Sequence, residues 1–156
     1  MIRQTVTIAL ALALCGSALG TLQAPAQADP LPDLVVKSEN VELGAACDYS
    51  APVVTITAVI ENAGDAPSGA RADDGAVVAV DKNHSWTAGA PLPDLAPGAS
   101  VTVTISFMAD DPSSLVGPHL FRVIVNRDKK IPESTYTNDA SPPLSLSIPA
   151  ALCKTS

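Results

Sequence analysis

Beyond residue 30 the chain alternates between apolar and polar positions. In "VTVTISF" (residues 101–107), Val101, Val103, Ile105 and Phe107 fall on one side of an extended backbone. Thr102, Thr104 and Ser106 fall on the other, the signature of a half-buried strand. "VVTITAVI" (53–60) places Val54, Ile56, Ala58 and Ile60 on a core face, and "HLFRVIVN" (119–126) sets Phe121, Val123 and Val125 against Leu120, Arg122 and Ile124. "LSLSI" (144–148) turns Leu144, Leu146 and Ile148 inward, and "DLVV" near residue 34 and "GAVVAV" near residue 77 complete the stronger set. No segment of this part of the chain sustains a helical period.

The segments between these runs carry turn chemistry: "NAGDAPSG", "DKNHS", "PDLAPGAS", "DDPSS" and "TNDASPP". Gly, Asn and Asp tolerate positive φ, Pro fixes φ, and Ser or Asp bonds back to the chain. In "NAGDAPSG" Asn62 and Gly64 are expected to end a strand through positive φ, and Pro67 then forbids a prompt return to the ladder. Six or seven short strands with this punctuation predict an all-β fold, an immunoglobulin-like β-sandwich of about seven antiparallel strands.

The first residues read as an address. Arg3 gives a short positive region, "TVTIALALALCGSALG" is uncharged and apolar, and "APAQA" ends in small residues at Ala26 and Ala28. This is the pattern of a secretory signal peptide over residues 1–28, with cleavage after Ala28 and one domain over 29–156. The apolar run falls short of the roughly 20 residues that a membrane span needs. Cys15 in "LALCG" raises a lipoprotein signal, but bulky Leu14 stands where a small residue is required. The expected location is outside the cytoplasm, periplasmic or secreted, with no transmembrane segment in the mature chain.

Charge narrows the partners. The chain has 16 acidic and 9 basic residues, a net charge of −7, and cleavage removes one of the positives. Such a surface repels phosphate backbones and argues against nucleic acid. Cys47 and Cys153 survive processing, and in an exported protein an even pair invites a disulfide bond.

Four stretches in order, "LPDLVV", "VIENAGDAPSG", "LPDLAPGASVTVTISF" and "FRVIVNRDKKIPESTYTND", resemble the CARDB domain, the cell-adhesion-related domain found in bacteria. The resemblance runs from about Leu31 to Ile148. Tyr136 stands where the family's last turn carries Glu, Asp139 where it carries a second Asn, and residues 71–90 and both cysteines lie outside the pattern. The resemblance implies a β-sandwich used as an accessory or adhesive module of surface proteins, with no catalytic residues.

Candidate chemistry is sparse. His84 falls in an expected turn and His119 at a strand start, where a strand edge or core rim is expected for it. Neither belongs to a nucleophile–base arrangement. Adjacent carboxylates at Asp73-Asp74 and Asp110-Asp111 would point to opposite faces of a strand. Asp81, Asn83 and Ser85 start like a calcium loop, but Trp86 and Leu92 occupy the positions that require Gly and Glu. "NHS" matches a glycosylation sequon, a chance match in a chain with a bacterial-type signal. A looser Ca²⁺ site could use Asp128, Glu133, Asn138 and Asp139 in the last turn, whose alternative role is to cap and solubilise it. Trp86 and Tyr136 are candidate contacts for protein or sugar, although the role expected first for Trp86 is to cover an open sandwich edge. The sequence therefore points to an exported, non-enzymatic module that contacts a protein, or less directly a glycan, in the envelope or extracellular space, without a cofactor. An ion-dependent binder is the alternative, and a secreted enzyme without a recognisable motif the remote one.

Overall fold

The computed structural model describes residues 29–44, 52–71, 77–83, 86–108 and 115–153. Seven strands are present there: β1 (Leu34–Leu43), β2 (Val54–Asn62), β3 (Val77–Asp81), β4 (Trp86–Ala90), β5 (Ser100–Phe107), β6 (Gly117–Ile124) and β7 (Leu144–Ile148). They form two antiparallel sheets, β1-β2-β5 and β4-β3-β6-β7, packed face to face as the expected sandwich. The alternation decides which faces meet. Val54, Ile56, Ala58 and Ile60 of β2 and Val103, Ile105 and Phe107 of β5 are buried, against Phe121 and Val123 of β6 and Ile148 of β7. Fully burying a side chain of this kind contributes about 1.5–3 kcal/mol.

Aromatic rings bridge the sheets at one point. Phe107 and Phe121 approach with ring centroids 5.0 Å apart, and Trp86 meets Phe107 edge-on at 4.7 Å. Trp86 opens β4, a strand the sequence pattern did not announce. "WTAGA" is small and carries Gly89 mid-strand, so its own strand preference is weak. It is held by ladder bonds to β3, from Val77 opposite Ala90 to Asp81 opposite Trp86.

β1 also departs from expectation. It continues for ten residues past "DLVV", with a register shift between Val36 and Ser38 that leaves Lys37 as an extra residue. The bulge reverses parity: Leu34 and Val36 pack inward before it, whereas Val41, opposite Ile56, packs inward after it. Simple alternation fails across such a point.

The turn after β2 works differently from the sequence expectation. β2 runs through Asn62, and neither Asn62 nor Gly64 is among the described residues with positive φ, which are Gly69, Gly98, Gly117, Asn126 and Lys129. Gly64 is required by close approach. A Cβ there would lie 2.5 Å from Asp33 N and 2.5 Å from Pro32 C, and would also run into Leu31 O. Asn62 is fully buried and acts through its side chain. Its Oδ1 accepts from Asp33 N and Gly64 N, each at 3.1 Å, and its Nδ2 donates to Ala66 O and Leu95 O, each at 2.8 Å. Ser68 Oγ continues the knot, accepting from Leu95 N at 2.9 Å and donating to Asp94 Oδ1 at 3.1 Å.

His119 is likewise a correction: it sits in the core, not at its rim. Its Nδ1 lies 2.6 Å from Asp81 Oδ2 and its Nε2 2.7 Å from Leu115 O, with both the His119 and Asp81 side chains fully buried. A carbonyl only accepts, so Nε2 carries the hydrogen toward Leu115 O, and Nδ1 faces the Asp81 carboxylate. Asp81 Oδ1 accepts from Asn83 N and Leu120 N, so the buried carboxylate serves both the β3 turn and β6.

The origin of the glycine requirement can be tested by urea unfolding. Gly64→Ala should destabilise by about 1–3 kcal/mol through overpacking, whereas Asp65→Ala, an exposed change, should stay within about 0.5 kcal/mol. Equal stability of Gly64→Ala and wild type would remove the close-approach account.

Candidate functional site

One end of the sandwich gathers the polar chemistry. It is built from the lead-in Leu31–Leu34, the turn after β2, and the long β6–β7 connection. The lead-in is gripped from both sides through its backbone. Asp65 N donates to Leu31 O at 3.0 Å and Ala63 N to Asp33 O at 2.7 Å on one side, and Ser134 N to Pro32 O at 2.9 Å on the other. Glu133, buried, completes the grip: its Oε2 accepts from Leu34 N at 2.5 Å and its Oε1 from Asn126 Nδ2 at 2.5 Å.

Asn126 shapes the connection. It adopts φ 46°, a conformation Asn tolerates better than most residues. Its amide closes a loop on Ile131, donating to Ile131 O at 2.7 Å and accepting from Ile131 N at 3.1 Å. Tyr136 Oη accepts from Glu133 N at 3.2 Å, and Lys129 Nζ lies 4.8 Å from the centre of the Tyr136 ring. Tyr136 is therefore an exposed ring pinned at its hydroxyl end.

The four residues proposed for an ion are divided by the structure. Glu133 and Asp139 are buried, Asn138 is half-buried and Asp128 is exposed. Asp33, which the sequence reading did not single out, joins them: Asn138 Nδ2 donates to Asp33 Oδ1 at 2.9 Å. "LPDLVV" enters the sequence argument only through its "DLVV" strand run and the family resemblance, and a pairing 105 residues away in sequence leaves no local signal.

Burial raises the Glu133 carboxyl from 4.5 to about 7; hydrogen bonds from Leu34 N and Asn126 oppose this, and Asp139 and Asp33 add repulsion. Asp139 rises from 3.8 to about 6, chiefly by burial and then by Asp33, despite an opposing pull from Lys129. Asn138 Oδ1 and Asp139 Oδ1 are buried with no hydrogen-bond partner. An unsatisfied buried acceptor costs about 1–3 kcal/mol, so the cluster is short of positive charge or donors. Among the described residues no three His, Cys, Asp or Glu side chains come together as a ready metal-ligand set.

The remaining candidates sit elsewhere. Trp86 is half-buried against Phe107, Phe121 and His119. Cys153 is buried beyond β7. Cys47, His84, Asp73, Asp74, Asp110, Asp111 and the signal segment lie outside the described residues. A groove of about 330 Å³ runs over β6 and β7 past Asn83, Pro118, Leu120, Ser145 and Ser147. His119 borders it too, but the imidazole is fully buried, so among the described residues the groove presents no titratable side chain. A second cavity, about 420 Å³, lies at the gripped end between Asp29–Leu31, Ala63–Asp65 and Ser134.

The family model for CARDB matches residues 31–142, from the gripped lead-in to the end of the β6–β7 connection. The chain belongs to the CARDB family. A solution structure of a domain of a protein described as a cell-surface protein, from Methanosarcina acetivorans, is similar in fold, with 19% identity, TM-score 0.50, and coverage of 75% of this chain and 91% of that one. A CARDB domain from Pyrococcus furiosus, crystallised in complex with di-metal ions, gives 13% identity, TM-score 0.48, and coverage of 75% and 93%. No curated protein matches the chain. The residues of this CARDB domain that make the grip, Asp33, Asn62, Gly64, Leu95 and Asn138, fall within the matched region.

The raised carboxyls set a pH dependence. A group whose folded pKa exceeds its unfolded value stabilises fully below the unfolded value and loses that contribution as pH rises through the folded one. In chelator-treated protein the contribution of Glu133 and Asp139 should therefore decline between about pH 4 and pH 7. Urea melts across this range should show a shallower decline for Asp139→Asn than for wild type, and an unchanged slope would discount the cluster.

Proposed function

We propose that the chain is an exported accessory module that works by surface contact with a protein of the cell envelope or extracellular space, with glycan contact second. Membership of CARDB, a non-catalytic adhesion-type family, supports a module of this class. The observation that carries surface contact is the end of the sandwich opposite the grip. There Leu43 closes β1, Met108 follows β5 and Val116 precedes β6, and all three are exposed, at 36%, 41% and 40%. Exposed apolar side chains carried to the same end by three separate strands support a contact surface there. Trp86 is committed to the sheet-bridging cluster and Tyr136 stands apart from it, so among the described residues no stacked aromatic platform supports a sugar site. Among the described residues no helix is long and apolar enough to cross a membrane.

Export after cleavage behind Ala28 carries a companion proposal, a bridge between Cys47 and Cys153. It would tie the segment after β1 to the tail after β7, closing a loop of roughly a hundred residues. Loop entropy gives such a closure about 4–5 kcal/mol as an upper figure. A second functional reading, ion-dependent contact through the β6–β7 connection, is favoured by the two unsatisfied oxygens of Asn138 and Asp139.

Crosslinking capture from the producing cell's envelope should recover a specific protein with wild type and lose it with the triple change Leu43→Ser, Met108→Ser, Val116→Ser. Retention by a folded triple variant would place the contact elsewhere. Intact mass of freshly isolated protein, alkylated with and without prior reduction, should show one bridge and a start at Asp29. Two alkylated thiols without reduction would end the disulfide proposal.

A further inference from the structure

We propose that Asp33, Asn138 and Asp139 form a site for a hard divalent cation of the calcium class, which would lock the lead-in of β1 to the β6–β7 connection. This deepens the ion-dependent reading above and rests on it. The cluster alone would not carry the assignment; its unsatisfied oxygens do. Asp139 is only 7% exposed, and its Oδ1, like Asn138 Oδ1, is buried and receives no hydrogen bond. Asn138 is turned so that its Nδ2 donates to Asp33 Oδ1, which leaves its carbonyl oxygen as the free ligand.

The groups around these oxygens show what is missing. Glu133 spends both carboxylate oxygens on Leu34 N and Asn126 Nδ2. Lys129, the cation that acts on Asp139, has its Nζ over the Tyr136 ring. Two carboxylates and an amide oxygen are the donor chemistry of a hard cation. Among the described residues no imidazole or thiolate joins them, so this donor set is not that of structural zinc. Among the described residues no third carboxylate is free to join them, so water would complete the shell and binding should be weak. The range for extracellular calcium modules, about 10⁻⁴–10⁻³ M, is the expectation.

The ligand set differs from one read along the β6–β7 turn alone: Asp128 is exposed and outside the site, and Asp33 comes from the opposite end of the chain. The experiment uses the full mature chain, stripped with chelator and then titrated with CaCl₂ or MgCl₂ to about 5 mM. Thermal melting and calorimetry are the readouts. Wild type should show a saturable rise in Tm with calcium and less with magnesium. Asp33→Asn and Asp139→Asn should weaken calcium binding about tenfold or more while keeping the metal-free fold by circular dichroism, and Asp128→Ala should respond like wild type. A calcium response kept by both Asn variants but lost in Asp128→Ala would overturn this site and leave the ion reading standing. No response of wild type to calcium would overturn both. Asp139→Asn more stable than a calcium-silent wild type would assign the unsatisfied oxygens to a proton or water instead.

Discussion

The lead-in Leu31-Pro32-Asp33-Leu34 is held by two turns that are themselves far apart in sequence, and the register of the first sheet depends on that hold. The turn after β2 takes Leu31 O and Asp33 O, and Asn62 takes Asp33 N. The β6–β7 connection takes Pro32 O through Ser134 N, Leu34 N through Glu133, and the Asp33 carboxylate through Asn138. β1 is an edge strand, and beyond Leu34 its residues are half-buried or exposed. Its own burial is therefore a weak guide to register. A slip of one residue would turn Leu34 outward; the hydrogen bonds at its entrance oppose that slip more directly than its packing does.

The same hold explains the concentration of acidic groups at one end. Backbone N–H groups that must be met inside the protein are met by side-chain oxygens, here Asn62 Oδ1 and Glu133 Oε2. Bringing Glu133 close enough to reach Leu34 N also brings Asp139 and Asp33 into mutual range, and burial raises the cost of ionising the first two. Structural need and electrostatic strain arise from one arrangement. The cavity beside Gly64 is part of it, because the lead-in passes too close for any side chain there.

At the sandwich centre a different polar solution appears. Asp81 and His119 are buried beside Trp86, yet both Asp81 carboxylate oxygens and both imidazole nitrogens meet complementary groups. Asp81 closes β3 and His119 lies near the start of β6, so the pair fixes the junction of β3, β4 and β6 close to the Phe107–Phe121 contact. A buried pair of this kind specifies one arrangement of strands more than it adds stability.

The sequence by itself determined the strands whose alternation is unbroken: β2, β5, β6 and β7, with their inward residues and the antiparallel sandwich class. Period-two patterning is local, so it survives without knowledge of neighbours. The CARDB resemblance was legible for the same reason, since its motifs are short runs at the entrances and exits of those strands. Tertiary structure decided the rest. β4 exists because β3 pairs with it, β1 changes parity at a bulge, and Gly64 answers to a chain segment thirty residues earlier rather than to its own φ. Of the candidate site, Glu133, Asn138 and Asp139 could be named from the acidic last turn, but Asp33 could not. Its partner is 105 residues away, and only folding brings a carboxylate from the first strand's entrance against an amide from the last connection.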